Sequence, residues 1–186
     1  MRARRGWQIF ALVSLVNSLS FALAATPAPQ IFTQRREVKL AIDDFILTDQ
    51  SGKTFQFNHR KGKVVVVGFA YTTCPDVCPL ITAAMRKVQE GLGPAQRSAA
   101  YFLTITTDPE IDSPKALASY GKRYGVDFSN WSFLTGDEPS LKRVWQNFGV
   151  KVDRKARGLI DHTSLTAVVD QAGTLRFAYH GTAPEA

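Results

Sequence analysis

The run Lys63-Val64-Val65-Val66-Val67-Gly68-Phe69 narrows the fold more than any other stretch of this sequence. It is β-branched and carries no polar alternation. A strand of that kind is buried on both faces, so helices are expected to cover both sides of its sheet. Directly after it come Tyr71-Thr72-Thr73-Cys74-Pro75-Asp76-Val77-Cys78-Pro79. The apolar residues Ile81, Ala84, Met85, Val88 and Leu92 then fall at helical spacing, and Gly91-Leu92-Gly93-Pro94 closes that helix. The chain's two cysteines therefore stand where a buried strand hands over to a helix.

The remaining elements follow from similar signals. Phe45–Thr48 and Thr54–Phe57 flank Asp49-Gln50-Ser51-Gly52 as an N-terminal hairpin, and Tyr101–Thr106 is a second buried strand. Ser113-Pro114 supplies an N-cap and a first-turn proline to a helix carrying Leu117, Tyr120 and Tyr124. Leu141, Val144, Trp145 and Phe148 stripe a further helix from about Pro139, with Gly149 at its C-terminus. Ser164–Val169 and Thr174–Tyr179 close the order as a hairpin across Asp170-Gln171-Ala172-Gly173. Hairpin, β, α, β, α, α, β, β is an α/β, thioredoxin-like arrangement: a central mixed sheet flanked by helices, with an extra N-terminal β-hairpin and an inserted helix.

Ahead of this domain lie two segments of another kind. Arg2, Arg4 and Arg5 precede an apolar stretch from Trp7 to Phe21 and the sequence Ala22-Leu23-Ala24, so residues 1–24 read as a signal peptide or membrane anchor. Residues 25–40, rich in Pro, Ala, Thr and Gln, read as a linker, which leaves 41–186 as the folded domain. The net charge of +7 includes those three arginines. Without them 20 Lys+Arg face 16 Asp+Glu, a mild excess that calls for no nucleic acid.

A disulfide across three intervening residues closes too short a loop to stabilise a fold much, so Cys74 and Cys78 are judged as chemistry. With Cys74 as the helix cap and Pro75 in the first turn, free N–H groups and the helix dipole would favour a thiolate there. Residues four apart share a helix face, so both sulfurs can form a redox pair or bind one soft metal ion. Firm metal binding wants a third donor. His59 lies in the polar Asn58-His59-Arg60-Lys61 loop and reads as solvated; His180 follows the last strand. His162, in Ile160-Asp161-His162-Thr163-Ser164, belongs to a loop that this fold brings up beside the cysteine turn. Two thiolates and one imidazole suit copper, as Cu(I) or Cu(II), whereas structural zinc normally takes a fourth protein ligand. Met85 sits in the apolar helical stripe and reads as core.

Tyr71–Pro79 resembles the signature of the Sco/SenC family of cytochrome c oxidase assembly proteins. Asp44–Asp49 with Gly52-Lys53, Thr107–Pro114, Trp131–Gly136 and Asp161-His162-Thr163-Ser164 agree with it in order. The resemblance implies a copper-binding thioredoxin-like fold with Cys74, Cys78 and His162 as metal ligands, serving the binuclear copper centre of cytochrome c oxidase. Subunit II of that oxidase is the implied partner, with another periplasmic copper carrier or a thiol reductase alongside it. The implied location is periplasmic, either soluble after signal cleavage or anchored to the inner membrane. A thiol–disulfide oxidoreductase, with Cys74 and Cys78 as the redox-active pair, is the alternative function. A peroxidase fits less well, because Tyr71 stands where a T-x-x-C motif needs threonine. Family members usually carry a further helix after the last hairpin, whereas this sequence runs only to Ala186, so either one sheet face or edge is poorly covered here or the sequence is a fragment of a longer one. The basic stretch from Lys151 to Arg157 reads as a solvated loop, or more sharply as a docking guide for an acidic partner surface.

Overall fold

The computed structural model describes residues 34–181; the expected signal segment 1–24 and linker residues 25–33 lie outside the described residues. In chain order come β1 (Gln34–Ala41), β2 (Ile46–Asp49), β3 (Thr54–Gln56), a 3-10 turn at Phe57–Arg60, and β4 (Val64–Ala70). Then follow α1 (Val77–Gly91), α2 (Pro94–Ala99), β5 (Ala100–Thr106), α3 (Pro114–Arg123), β6 (Trp131–Thr135) and α4 (Glu138–Asn147). The chain continues with β7 (Val152–Arg154), a 3-10 turn at Ala156–Gly158, β8 (Ile160–His162), β9 (Leu165–Val169) and β10 (Thr174–His180).

Eight strands form one mixed sheet in the order β1-β10-β9-β4-β5-β6-β2-β3, while β7 and β8 pair only with each other. The β4–β5 and β5–β6 pairs are parallel and the others antiparallel. Alternation along β4 feeds two cores. Val65, Val67 and Phe69 pack with Leu103, Ile105, the α4 residues Leu141, Val144 and Trp145, and Phe148 just after that helix. On the opposite face Ile81 and Met85 of α1 join Leu117 and Tyr120 of α3 and the sheet residues Phe102, Trp131 and Phe133. Gly68 is on this second face, where a Cβ would stand only 2.8 Å from Met85 Sδ. The missing side chain lets α1 seat closely on the strand that precedes it.

The thioredoxin-like layout is as expected, but α2 and the β7–β8 pair stand where only turns and loops were expected, and three further local differences appear. Residues 34–40, expected in the linker, belong to β1, which pairs with β10 from Gln34↔His180 to Ala41↔Thr174. An edge strand is held through its backbone, so Arg36 and Glu37 keep their charges in solvent and the segment does not look like a strand in composition. That pairing covers the β10 edge; a shallow apolar groove of about 290 Å³ remains beside α1, lined by Val66, Met85, Val88, Val168 and Tyr179. Second, β6 separates two helices expected to be consecutive. All five of its residues are buried, so it shows no alternation to reveal it. Third, the buried stripe of α1 is rotated: Val88 is 53 % exposed while Gln89 is 1 % exposed. The Gln89 amide donates to Asp127 C=O at 2.8 Å and Asn130 Oδ1 at 2.7 Å, and its oxygen accepts from the Asp127 N–H. Three satisfied hydrogen bonds make an amide acceptable where a valine was expected.

Gln89→Leu is therefore expected to destabilise the fold by about 1–3 kcal/mol, since it strands buried partners. Val88→Ser is expected to stay within about 0.5 kcal/mol. Denaturant midpoints of the two variants check both.

Candidate metal centre

The C-terminal ends of parallel β4 and β5 open toward one edge of the sheet, the usual place for a site in an open α/β layer. At the end of β4 the Cys74 N–H donates to Tyr71 C=O at 3.2 Å, closing a turn that leads into α1. Helical structure begins at Val77 with Asp76 as N-cap, later than expected. Cys74 is thus in the turn before the helix rather than its cap, and Pro75 precedes the helix. Pro79 falls within the first turn, where its missing N–H leaves no helical bond unmade. Cys78 in that turn is fully buried beside Ala70, Tyr71 and Ile160, whereas Cys74 is half-buried. Both are free thiols.

His162 arrives from the other side. It ends β8, and the β7–β8 register pairs Val152 with His162, Asp153 with Asp161 and Arg154 with Ile160. Alternation places Val152, Arg154, Ile160 and His162 on one face of this hairpin. That face meets the cysteine turn: Ile160 N–H donates to the Tyr71 hydroxyl at 3.4 Å, and the Tyr71 and His162 rings meet edge to face. Cys78 Sγ and His162 Nε2 are 3.8 Å apart, from residues 84 positions apart in the chain. An open cleft of about 450 Å³ holds Cys74, Pro75, Val77, Ile160 and His162 in its walls.

The two thiols are chemically unequal. A hydrogen bond from the Cys78 thiol, helped by the N–H groups of Asp76 and Cys78, brings the Cys74 pKa down to about 5. The same bond, and then burial, push Cys78 up. Cys74 is thus the thiolate and Cys78 its proton donor. His162 Nδ1 is 3.1 Å from Thr163 C=O, an acceptor only, so Nδ1 carries the proton and Nε2 presents its lone pair toward Cys78. Burial lowers the His162 pKa and keeps the ring neutral. This is the tautomer a metal-ligating histidine needs, with its other nitrogen anchored.

The donor set fits a soft metal ion. Metal–sulfur and metal–nitrogen bonds of about 2.3 and 2.0 Å meeting at roughly 120° separate the donors by about 3.7 Å. The Cys78–His162 separation of 3.8 Å is close to that value. Among the described residues, however, no group of three or more His, Cys, Asp and Glu side chains stands ready to hold a metal ion. Cys78 and His162 are already at ligand spacing, and Cys74 lines the same cleft. A three-donor set needs these groups to draw closer than they stand as thiols.

The other histidines fall elsewhere. His59 is exposed at the N-terminal end of β4, the length of that strand away from the cysteines. His180 ends β10 at the site's end of the sheet, two strands across from β4, and is not in the cleft wall. Met85 is core, as expected. A polar layer behind the turn was not identified as such from the sequence. Asp112, fully buried, accepts from Thr72 N–H at 3.2 Å, from the Thr72 hydroxyl, and from the Thr106 hydroxyl at 2.5 Å. Burial pushes the Asp112 carboxyl up. Asp108 N–H donates to Thr106 Oγ1, and the Asp108 carboxylate receives Arg154. The available signal was a pair of aspartates four apart just after a buried strand.

The ionisation order predicts how the reduced, metal-free protein alkylates. Reaction at Cys74 is expected to rise with pH through about 5, where the thiolate forms, and to level off above it. Cys78 is expected to stay unmodified across that range. Mass-spectrometric mapping after iodoacetamide pulses checks both.

Comparison with known proteins agrees with this fold. The SCO1/SenC family model matches residues 33–186. The SCO2-like protein of Rickettsia typhi is 31% identical over 176 residues, covering 89% of this chain and 84% of the relative. The structure of Bradyrhizobium japonicum ScoI with copper bound superposes with a TM-score of 0.65 at 29% identity, covering 73% of this chain and 86% of that one. BsSco, described as a member of the Sco family of cytochrome c oxidase assembly proteins with a disulfide switch, superposes at 0.67 with 29% identity, covering 78% and 86%. The chain belongs to the SCO1/SenC family.

Proposed function

We propose that this protein is a copper-binding metallochaperone for the binuclear copper centre of cytochrome c oxidase, with Cys74, Cys78 and His162 as the metal ligands. The observation that carries the reading is the neutral His162 imidazole, whose free Nε2 faces Cys78 Sγ at 3.8 Å. A thiol reductase can run on the two cysteines alone, whereas a soft metal ion held firmly needs that nitrogen as a third donor. Two thiolates favour Cu(I), and the imidazole accommodates Cu(II) as well. Copper seen in the related B. japonicum protein supports the same cargo. The copper centre of oxidase subunit II is the proposed recipient, and the periplasm the proposed location. Among the described residues no helix is long and apolar enough to cross a membrane.

A second reading rests on the depressed Cys74 pKa and the buried Cys78 behind it. In it the Cys74 thiolate attacks a partner disulfide and releases one partner thiolate. Cys78 then gives its proton to the partner thiolate just released, attacks the Cys74 sulfur and releases the second partner sulfur as thiolate. Two electrons pass to the partner and a Cys74–Cys78 disulfide remains. Such a step would keep the oxidase cysteines reduced for loading by another copper carrier.

Copper binding by the reduced protein and by His162→Ala, with a disulfide-reduction assay on both, separates the readings. The wild type is expected to bind one copper, and the variant to lose more than about 100-fold in affinity, beyond the usual cost of removing an outer-shell partner. Binding indifferent to His162, with reductase activity kept in both proteins, would replace the chaperone with the oxidoreductase.

A further inference from the structure

The basic segment before His162 was expected to be a solvated loop or a docking guide, yet Arg154 turns inward. Its guanidinium is 2.6 Å from Asp108 Oδ1 and 3.4 Å from Glu110 Oε2. Asp108 is 1 % exposed, and its Oδ2 has no hydrogen-bond partner among the described residues. Arg154 is therefore the cation that compensates a buried carboxylate. Both Arg154 and Lys155 are exposed, but among the described residues Lys155 pairs only with its exposed neighbour Asp153.

The β7–β8 hairpin belongs to no larger sheet, so its position depends on what its inward face touches. Besides the apolar packing of Val152 and Ile160, that face makes three contacts through polar atoms. His162 meets Cys78, Ile160 meets Tyr71, and Arg154 meets Asp108. The first two are weak in the absence of metal: a thiol–imidazole approach of 3.8 Å and a hydrogen bond of 3.4 Å. Arg154 supplies the charge-assisted one, which is both stronger and more directional. From Asp108 the bonding continues through the Thr106 hydroxyl to Asp112 and on to Thr72, two residues before Cys74. One polar chain thus joins the hairpin that bears the histidine to the turn that bears the cysteines.

We propose that Arg154 is a positioning residue for His162, its ion pair with buried Asp108 setting where the β7–β8 hairpin stands relative to the cysteine turn. The proposal rests on the copper reading for its consequence, but its structural content is independent of copper. The role is indirect: Arg154 touches no reacting atom and works by placing Nε2.

The test uses Arg154→Gln, the conservative Arg154→Lys, and the double variant Asp108→Asn/Arg154→Gln, which leaves no bare buried charge. Copper affinity is measured for each, and for Arg154→Gln in a His162→Ala background. Amide hydrogen exchange of the metal-free proteins is followed at β8 and at the central strands β4 and β5. Arg154→Gln and the double variant are expected to lose about 10–100-fold in copper affinity, and Arg154→Lys to recover part of it. With His162 already removed, Arg154→Gln is expected to change affinity by less than about twofold. Exchange at Ile160–His162 is expected to speed up about tenfold or more while β4 and β5 keep their protection. Unchanged exchange at β8 overturns the proposal, and so does an equal affinity loss in the His162→Ala background. If the wild type binds no copper, the chaperone reading fails, and the exchange data alone decide the role of Arg154.

Discussion

The close seating of α1 on β4 decides where the thiols stand. At Gly68 the strand carries no side chain, and Met85 occupies the space a Cβ would take. With the helix drawn in, its first turn lies against Ala70 and Tyr71, and Cys78 is removed from water altogether. Burial of one sulfur and half-exposure of the other then produce two thiols of opposite character. Cys74 ionises easily because Cys78 and backbone N–H groups donate to it; Cys78 holds its proton because it is the donor and is buried. The same close contact thus underlies packing and chemistry.

The histidine side of the site is built on different physics. The hairpin of β7 and β8 extends from the sheet without joining it, so no strand pairing with that sheet places His162. Apolar contacts through Val152 and Ile160 and a set of polar contacts do so instead. Apolar packing tolerates small shifts in distance, whereas an ion pair at a buried carboxylate specifies direction. An element held this way can be well placed in the resting protein and still move when a ligand or partner arrives. The donors do have to draw together around an ion, since as thiols they do not yet form a three-ligand cluster.

These two halves also explain why the chemistry is ambiguous in principle. A low-pKa thiolate with a buried partner serves disulfide exchange as well as metal binding. The proposed copper role draws on the protonation state of one ring: Thr163 C=O holds the Nδ1 proton, and burial keeps the ring uncharged. A carbonyl one residue away thereby presents the lone pair of Nε2 to the cleft.

Much of this was legible in the residues themselves. The unbroken apolar run of β4 announces a strand covered on both faces, and the placement of the cysteines just after it follows from chain order alone. Ser113 and Gly149 mark helix ends by local chemistry, and both are where capping rules put them. Features that depend on partners distant in the chain were not legible. β1 is charged like a linker because its pairing with β10 runs through the backbone and leaves Arg36 and Glu37 exposed, and β6 lacks alternation because both its faces are covered. Gln89 replaces Val88 in the core because Asp127 and Asn130 satisfy its amide. Arg154 reads as one basic residue among several until Asp108, 46 positions earlier, is seen buried against it. Local sequence determined the strand, the helix ends at Ser113 and Gly149 and the order of the donors, since those depend on neighbours a few residues away. Only the tertiary structure decided which thiol ionises, which imidazole nitrogen is free and which arginine is anchored, because each depends on burial and on a partner brought in from elsewhere in the chain.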